Sequence, residues 1–267
     1  MKIVDCFIFY NELEMLKYRL ELLYDFVDYF VLVESRYTHT GIMKELYYKD
    51  NIEMFEKYND KIIHIVENTA PYMYPNINIS ENQQWINENY HRNCIKKGLE
   101  QLLLKEEDVF IIADLDEIPD PEVLKKVKNN EINVTVNSLE QDLYYYNLNS
   151  KLNIKWYHPK ILSYKSFKEL KLECTEIRMQ FYSIIFNGGW HLSYFGDKYF
   201  IKNKLNNFVH QEFNSIEFND LDAIEDKILK GADLFNRENI TFQRISVKDN
   251  AYLPPDFETK LAKYVLF

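Results

Sequence analysis

The sequence predicts an α/β fold, a doubly wound mixed sheet flanked by helices, in one compact domain spanning residues 1–267. Strand-like and helix-like segments alternate four times over about the first 130 residues, which is typical of a mainly parallel sheet. Hydrophobic residues make up 46% of the chain, enough for a sizeable core, which excludes a disordered protein. No linker rich in Pro, Gly or Ser divides the chain, so a second domain is not expected.

Four short apolar runs predict the strands of the parallel part, because they are rich in β-branched and aromatic residues. They cover residues 3–9, 29–33, 61–66 and 109–113. Helical periodicity appears between them, most clearly in the apolar stripe formed by Leu13, Leu16, Leu20 and Leu23.

Residues with capping chemistry predict where several helices begin. Asn11 is expected to cap the helix that Glu12 opens, and Ser80 with Gln83 fits a capping box for a later helix. Asp120 is expected to start a further helix that has proline at its first position.

The pattern changes after residue 131, where aromatic residues cluster and the alternation becomes less regular. This change predicts mixed or antiparallel strands in the second half. Helical patterns return near 198–207, 221–230 and 255–265, and Gly231 suits the end of the middle one.

Charge and composition exclude some classes of function. A net charge of −10 argues against a broad nucleic-acid surface. No apolar run approaches the roughly 18 residues of a membrane span, and the first residues lack a signal-peptide pattern. Cys6, Cys94 and Cys174 form no CxxC pair, which favours reduced thiols. We therefore expect a cytoplasmic protein with no nucleic-acid partner and no membrane span.

The strongest chemical signal is the segment ADLDEIPDP at 113–121, where an apolar strand runs into four carboxylates. On an extended chain Asp114 and Asp116 project to the same side, so their repulsion favours a bound cation. Mg²⁺ and Mn²⁺ prefer such oxygen ligands and share them with substrate phosphates. An EF-hand calcium loop does not fit, because Pro119 and Lys125 would occupy its Gly and Glu positions. A solvated turn, and a phosphotransferase or phosphatase with Asp114 as nucleophile, remain alternatives.

Three weaker signals accompany this segment. GGWHLSY at 188–194 offers close backbone approach, a flat aromatic wall and a possible ligand, although a lone histidine such as His191 is more often structural. VESRYTHTG is a polar loop after the second strand, and Arg92 is either a phosphate contact or part of a solvated helix face. Glu12, Glu34 and the Asp114 segment all follow strand ends, so they are expected to converge on one edge of the sheet.

Taken in order, the segments DCFIFYNELEMLKYRLELL, VESRYTHTG, ENYHRN, ADLDEIPDP, GGWHLSYFGD and HQEFN resemble glycosyltransferase family 17, which contains the bisecting N-acetylglucosaminyltransferases. The resemblance implies a GT-A-like fold, a Mn²⁺ or Mg²⁺ cofactor, a UDP-sugar donor and inversion at the anomeric carbon. It further implies transfer of N-acetylglucosamine to a glycan or other hydroxyl acceptor. Because a UDP-sugar is an anion and the chain is acidic, a metal that bridges the diphosphate would make binding favourable.

The resemblance also implies roles for individual residues. The expected metal ligands are Asp114, Asp116 and His191. The expected donor-binding residues are Phe9, Asn11, Glu12, Glu34, Arg92, Asp114, Gly189 and Trp190. The candidates for the general base that activates the acceptor are Asp197, Glu212 and Glu117. Residues 1–130 would form the nucleotide-sugar-binding half, and 131–267 the acceptor-side half with the C-terminal helices. A non-catalytic carbohydrate-binding protein, suggested by the many Tyr and Trp residues, remains a further alternative.

Overall fold

Ten strands form one mixed sheet in the computed structural model, which describes all residues from Met1 to Phe267. The strands are β1 (Ile3–Phe9), β2 (Tyr29–Ser35), β3 (Ile62–Glu67), β4 (Val109–Asp114), β5 (Glu117–Pro119), β6 (Val136–Tyr145), β7 (Ser150–Trp156), β8 (Lys160–Ser163), β9 (Ser183–Ser193) and β10 (Phe242–Arg244). Eight of them follow the order β10-β7-β6-β8-β4-β1-β2-β3.

The first half of the chain forms the parallel part of the sheet. β1 pairs in parallel with both β2 and β4, and β2 pairs in parallel with β3. The chain therefore crosses over in opposite directions on the two sides of β1. In such sheets ligands bind beyond the carboxyl ends of the strands, next to this switch point.

The second half extends the sheet with antiparallel strands. β8 pairs with β4, β6 with β8, β7 with β6 and β10 with β7, all antiparallel. β9 pairs in parallel with β6 and antiparallel with the short β5, which follows the Asp-Leu-Asp segment directly. This arrangement brings the GGWH segment of β9 beside the acidic end of β4.

The helices cover both faces of the sheet. They are α1 (Leu13–Leu23), α2 (Tyr47–Asp50), α3 (Gln83–Asn93), α4 (Ile95–Leu99), α5 (Pro121–Lys128), α6 (Tyr164–Leu170), α7 (Cys174–Met179), α8 (Lys198–Asn207), α9 (Leu221–Lys230) and α10 (Phe257–Lys260). Short 3₁₀ turns lie at Ile52–Tyr58, Ile79–Glu81, Gln211–Phe213, Val247–Asp249 and Ala262–Tyr264. None of the helices combines the length and apolar character that crossing a membrane requires.

Alternate residues of the central strand β1 pack into two separate hydrophobic clusters. Ile3 and Phe7 pack with α1 in the larger cluster, whereas Val4 and Cys6 pack with α4 in the smaller one on the other face. A third, aromatic-rich cluster lies between β6, β9 and the C-terminal helices. All three cysteines are buried free thiols. β1 is thus buried on both faces, as parallel strands between helix layers are.

The predicted α/β class, with a mixed sheet flanked by helices in one domain, is confirmed. β1 matches its predicted bounds, and β2 and β4 extend beyond them by two residues and one residue respectively. Asp120 caps α5 through the backbone N–H of Glu122, and Gly231 ends α9 in the left-handed conformation, as predicted.

Three predictions of helix limits are wrong. Glu12, without a side-chain hydrogen bond, precedes α1, so Asn11 does not cap it. Asn78 accepts from the backbone N–H of Ser80 and caps a 3₁₀ turn, so the predicted Ser80 capping box does not form and α3 begins later, at Gln83. The helix predicted near 255–265 is divided into α10 and a 3₁₀ turn, because Leu261 between them leaves the helical conformation.

Candidate functional site

A cleft of about 570 Å³ opens where β1, β2 and β4 end. Its walls come from both halves of the chain: Phe9 and Asp114 from the parallel strands, His191 from β9 and Lys204 from α8. It therefore lies at the position that the strand order predicts for a ligand. The assignment of the two halves to donor and acceptor stays a prediction.

The charges that line the cleft differ from those of the whole chain. Five cationic side chains line it: Lys44, Arg92, Arg178, Lys204 and Arg237. Four carboxylates line it: Glu12, Glu88, Asp114 and Asp116. Cations thus exceed carboxylates by one in the cleft, although the chain as a whole carries −10. This local balance favours an anionic ligand.

Asp114, the last residue of β4, is held by two arginines. Its Oδ1 accepts from Arg92 of α3 at 3.1 Å, and its Oδ2 accepts from Arg178 of α7 at 2.8 Å. Burial alone would raise its pKa, but Arg178 and Arg92 outweigh burial and hold the pKa of Asp114 below its ordinary value. Asp114 is therefore an anion that is fixed from two sides.

Glu117 is fully buried and does not line the cleft. Its two oxygens accept from Arg178 at 2.6 and 2.7 Å in a bidentate pair, and one oxygen also accepts from the indole of Trp156. The other accepts from the backbone N–H of Asp114 at 2.7 Å. Glu117 thus fixes Arg178 and the turn after β4, whereas its predicted role as general base stays a prediction.

Arg19 of α1 holds the backbone of the acidic segment in place. Its guanidinium is buried and forms a bidentate pair with Asp5 of β1 at 2.8 and 2.6 Å. Its Nη1 donates to the carbonyls of Asp114, Leu115 and Glu117 at 2.8, 2.9 and 3.0 Å. A buried guanidinium needs this complete set of acceptors. The sequence analysis missed Arg19, although its position on the apolar face of α1 and the charge of Asp5 inside β1 were available as signals.

Asp116 has different partners. Its Oδ2 accepts from the Lys204 ammonium at 3.0 Å, and its Oδ1 lies 3.5 Å from His191 Nε2. Lys204 also lies 4.0 Å from Glu12. Burial alone would raise the pKa of Asp116, but Lys204 and His191 hold this pKa below its ordinary value. Asp116 is therefore an ionised carboxylate beside an imidazole.

His191 projects into the cleft from β9. Its ring packs against Trp156 with 4.7 Å between ring centroids. Its Nδ1 is buried and has no hydrogen-bond partner, and its Nε2 faces Asp116. A structural histidine would bond its ring nitrogens to the surrounding protein, so this geometry favours a role in the cleft.

Trp190 and Gly189, both expected to bind the donor, do not line the cleft. Neighbouring side chains of a strand face opposite sides, so Trp190 points away from His191 and is buried against Tyr252, with centroids 4.7 Å apart. Gly189 has a φ of +137°, and a Cβ there would lie 2.0 Å from the carbonyl oxygen of Ile118. The close backbone approach at Gly189 is therefore to β5.

The remaining residues expected to bind the donor fall into two groups. Phe9, Glu12 and Arg92 line the cleft. Glu34 is buried outside it, where it accepts from the backbone N–H of Tyr48 at 2.8 Å and lies 3.0 Å from His64 Nε2. The Asn11 amide lies near Asn203 on α8, also outside the cleft lining.

Asp197 and Glu212, two of the candidate bases, lie outside the cleft. Asp197 is exposed and caps α8 by accepting from the backbone N–H of Phe200 at 2.8 Å. Glu212 is exposed on the Gln211–Phe213 turn and accepts from His210 at 2.7 Å. Their catalytic roles stay predictions, and the structure gives each a local contact.

Several cleft residues were missed by the sequence analysis. They include Arg178, Lys204, Trp156, Trp85 and His158. Each lies in a segment without a recognisable motif. The elements that carry these residues come close to the acidic segment only in the folded protein. Alternation along β9 was a usable signal, since only one of Trp190 and His191 could face the cleft.

Comparison with known protein families assigns this chain to a class of enzymes that transfer sugars. Glycosyltransferase family 17 matches residues 1–266, which is essentially the whole chain. The chain therefore belongs to glycosyltransferase family 17. None of the curated proteins compared with it matches.

Proposed function

We propose that this family member is a metal-dependent, inverting glycosyltransferase that transfers a sugar from UDP to the hydroxyl group of a glycan or another acceptor. The observation that carries the proposal is the Asp114–Asp116 pair, in a cleft whose lining is more cationic than the chain. N-acetylglucosamine is proposed as the sugar from the resemblance of the motifs.

The residues at Asp116 fit a divalent cation. No set of three or more His, Cys, Asp or Glu side chains is arranged to hold an ion. However, Asp116 Oδ1 and His191 Nε2 lie 3.5 Å apart, and Mn²⁺ accepts carboxylate and imidazole ligands. Ions of this kind commonly take one or two protein ligands together with substrate phosphates. Asp116 and His191 would hold the ion, which would supply charge stabilisation for the departing diphosphate.

The cationic side chains of the cleft complement the same diphosphate. Lys204 lies beside Asp116, and Arg92 and Arg178 lie beside Asp114. Arg92 Nε is buried and unpartnered, so one of its donors is free of protein acceptors. These groups are fixed before the ligand binds, so they stabilise developing negative charge without having to reorganise.

The base that activates the acceptor must reach the cleft. Apart from the aspartate pair, the carboxylates that line it are Glu12 and Glu88. One oxygen of Glu88 accepts from Arg92 at 3.0 Å, and Glu12 accepts from the backbone N–H of Asn11 at 3.1 Å. Glu12 and Glu88 meet this requirement and are our first candidates, ahead of the sequence-based candidates Asp197, Glu212 and Glu117, which do not line the cleft. Each candidate can be replaced in turn by its amide, Gln for Glu and Asn for Asp. Only replacement of the true base is expected to lower turnover about 10²-fold or more.

Family membership favours sugar transfer over the two alternatives. A phosphotransferase would use Asp114 as a nucleophile, yet each oxygen of Asp114 is paired with an arginine. A non-catalytic sugar-binding protein would not need the aspartate pair. UDP release coupled to acceptor glycosylation supports the proposal, whereas a phospho-aspartate trapped with a fluoride analogue would support the phosphotransferase.

A thermal-shift panel of nucleotide sugars, with Mn²⁺ or with a chelator, tests the donor and the metal together. A ligand that binds the folded state raises the unfolding midpoint by mass action. We expect the largest rise with UDP-N-acetylglucosamine and Mn²⁺, and a much smaller rise with the chelator. A larger rise with a GDP- or CMP-sugar, or a rise that does not depend on the metal, would overturn the proposal.

A further inference from the structure

The loop after β2 contributes a histidine whose surroundings determine its hydrogen-bonding behaviour. His39 belongs to the VESRYTHTG segment and lines the cleft. The Asn87 amide of α3 donates to the carbonyl of His39 at 2.9 Å and to that of Tyr72 at 2.7 Å. Gly41 has a φ of +78°, and a Cβ there would lie 2.8 Å from the Tyr72 carbonyl oxygen. The backbone that carries His39 is therefore held against α3 and the Tyr72 segment.

A chain of hydrogen bonds sets the tautomers of two histidines. His91 Nε2 lies 3.1 Å from the carbonyl oxygen of Val33, which can only accept, so Nε2 of His91 carries the hydrogen. In a neutral ring His91 Nδ1 is then an acceptor, and it lies 3.4 Å from His39 Nε2. His39 therefore donates through Nε2. Its Nδ1 is left as an acceptor.

Both rings favour the neutral form. Burial lowers the pKa of His91 well below 6.5, and the neighbouring His39 lowers it further. Burial also lowers the pKa of His39. The ring of His39 lines the cleft, and its Nδ1 is an unprotonated acceptor at neutral pH. The charged side chains that act on this ring are of both signs: Glu88, Arg92, Asp114 and Lys44.

We propose that His39 is a specificity residue that accepts a hydrogen bond, through Nδ1, from the nucleoside part of the donor. The inference rests on the proposed use of a UDP-sugar. Uracil offers an imide N–H and ribose offers hydroxyl groups, so both contain the chemistry that this acceptor requires. A phosphate oxygen does not, because a neutral imidazole lone pair repels an anionic acceptor.

The position of His39 agrees with this division of the cleft. Asp114, which anchors the cationic groups, pairs with Arg92, and Arg92 follows His91 directly on α3. A diphosphate held at the Asp114–Asp116 edge leaves its nucleoside free to extend along the carboxyl ends of β1 and β2. His39 lies on the loop that follows β2.

Two substitutions separate the two nitrogens of His39. His39→Gln places an amide where Nε2 lies, which keeps a donor for His91 but removes the Nδ1 acceptor. His39→Asn places an amide oxygen near Nδ1, which keeps the acceptor but removes the contact with His91. His64→Gln is the matched control, because His64 lies on β3 outside the cleft. Thermal unfolding of each variant shows whether the fold is retained.

Calorimetry with Mn²⁺ and UDP, N3-methyl-UDP or 2′-deoxy-UDP tests the proposal. We expect His39→Gln to weaken UDP binding about 5- to 10-fold, the effect of one hydrogen bond, and His39→Asn and His64→Gln to retain more of the affinity. One analogue should bind the wild type more weakly than UDP does but bind His39→Gln as tightly as UDP does. The group that this analogue lacks is the one that donates to His39. The proposal would be overturned if the wild type and His39→Gln bound UDP with equal affinity. It would also be overturned if both analogues lost as much affinity relative to UDP in His39→Gln as they do in the wild type. Failure of the wild type to bind UDP would refute the proposed donor itself.

Discussion

Asp114 and Asp116 project from the same edge of the sheet, yet the protein holds them in different ways. Asp114 pairs with Arg92 and Arg178, and Arg178 is itself locked by a bidentate pair with Glu117. Asp116 faces one ammonium, Lys204, and one imidazole, His191. The first carboxylate is embedded in an arginine network, and the second has partners that each make a single contact.

The difference separates a fixed carboxylate from an exchangeable one. A guanidinium presents several donors in a rigid plane, so two arginines define the position of Asp114 closely. An ammonium is a point charge on a flexible chain, and an imidazole can offer a lone pair to a cation. Asp114 is therefore the more rigidly held carboxylate, and Asp116 is the one whose partners a metal could join or replace. The role of Asp114 as a metal ligand stays a prediction.

The largest expected effect is on the arginine side. Arg178→Met leaves Glu117 buried without its guanidinium, so the free energy of unfolding should fall by about 3–5 kcal/mol. Lys204→Met is the matched change on the Asp116 side, where Asp116 keeps His191 as a partner, so the loss should be smaller, about 1.5–3 kcal/mol for one hydrogen bond to a charged group. Urea denaturation of both variants measures the difference. Equal losses would show that the two carboxylates are held alike.

The next effect concerns His191. His191→Ala removes a cleft side chain without breaking a bond from Nδ1, so turnover should fall about 10²-fold while the melting temperature changes little. The control is His158→Ala, because His158 also packs on Trp156, with ring centroids 4.5 Å apart. This variant should lower turnover less. A loss of about 1–3 kcal/mol in stability with full activity of the folded fraction would instead make His191 structural.

The smallest effect appears in acid. Although burial opposes ionisation, Lys204 and His191 hold the folded-state pKa of Asp116 below its ordinary value of 3.8. Such a group contributes stability that is present above the unfolded-state pKa and is lost as the pH falls toward the folded-state pKa. We expect stability to fall below about pH 4, and to fall less in Lys204→Met, where the cation is missing. Chemical denaturation of the metal-free wild type and variant at pH 6 and about pH 3 measures how much the free energy of unfolding falls with pH in each protein. An equal fall in both proteins would exclude this linkage.

Much of the parallel half could be predicted from the sequence, because its signals are local. The β1 run and the Asp120 cap depend on neighbouring residues, and both agree with the structure. The arginine network could not be predicted in the same way. Arg178 lies 64 residues from Asp114 and meets it only after β8, α6 and α7 have formed.

Alternation in β9 explains the mixed outcome for the GGWH segment. The sequence analysis placed both Trp190 and His191 in the cleft, but the strand turns them to opposite faces. Asp197 illustrates a second reason. A carboxylate just before a helical pattern is a frequent N-cap, and Asp197 caps α8 rather than lining the cleft.

The most direct test of the account is the dependence of UDP affinity on Mn²⁺ in Asp116→Asn, measured by calorimetry beside the wild type. Asp197→Asn is the control, because asparagine caps a helix about as well as aspartate and the residue lies outside the cleft. The account predicts that Mn²⁺ strengthens UDP binding in the wild type and in Asp197→Asn but has little effect in Asp116→Asn. An equal Mn²⁺ effect in all three proteins would contradict the assignment of Asp116 to the metal.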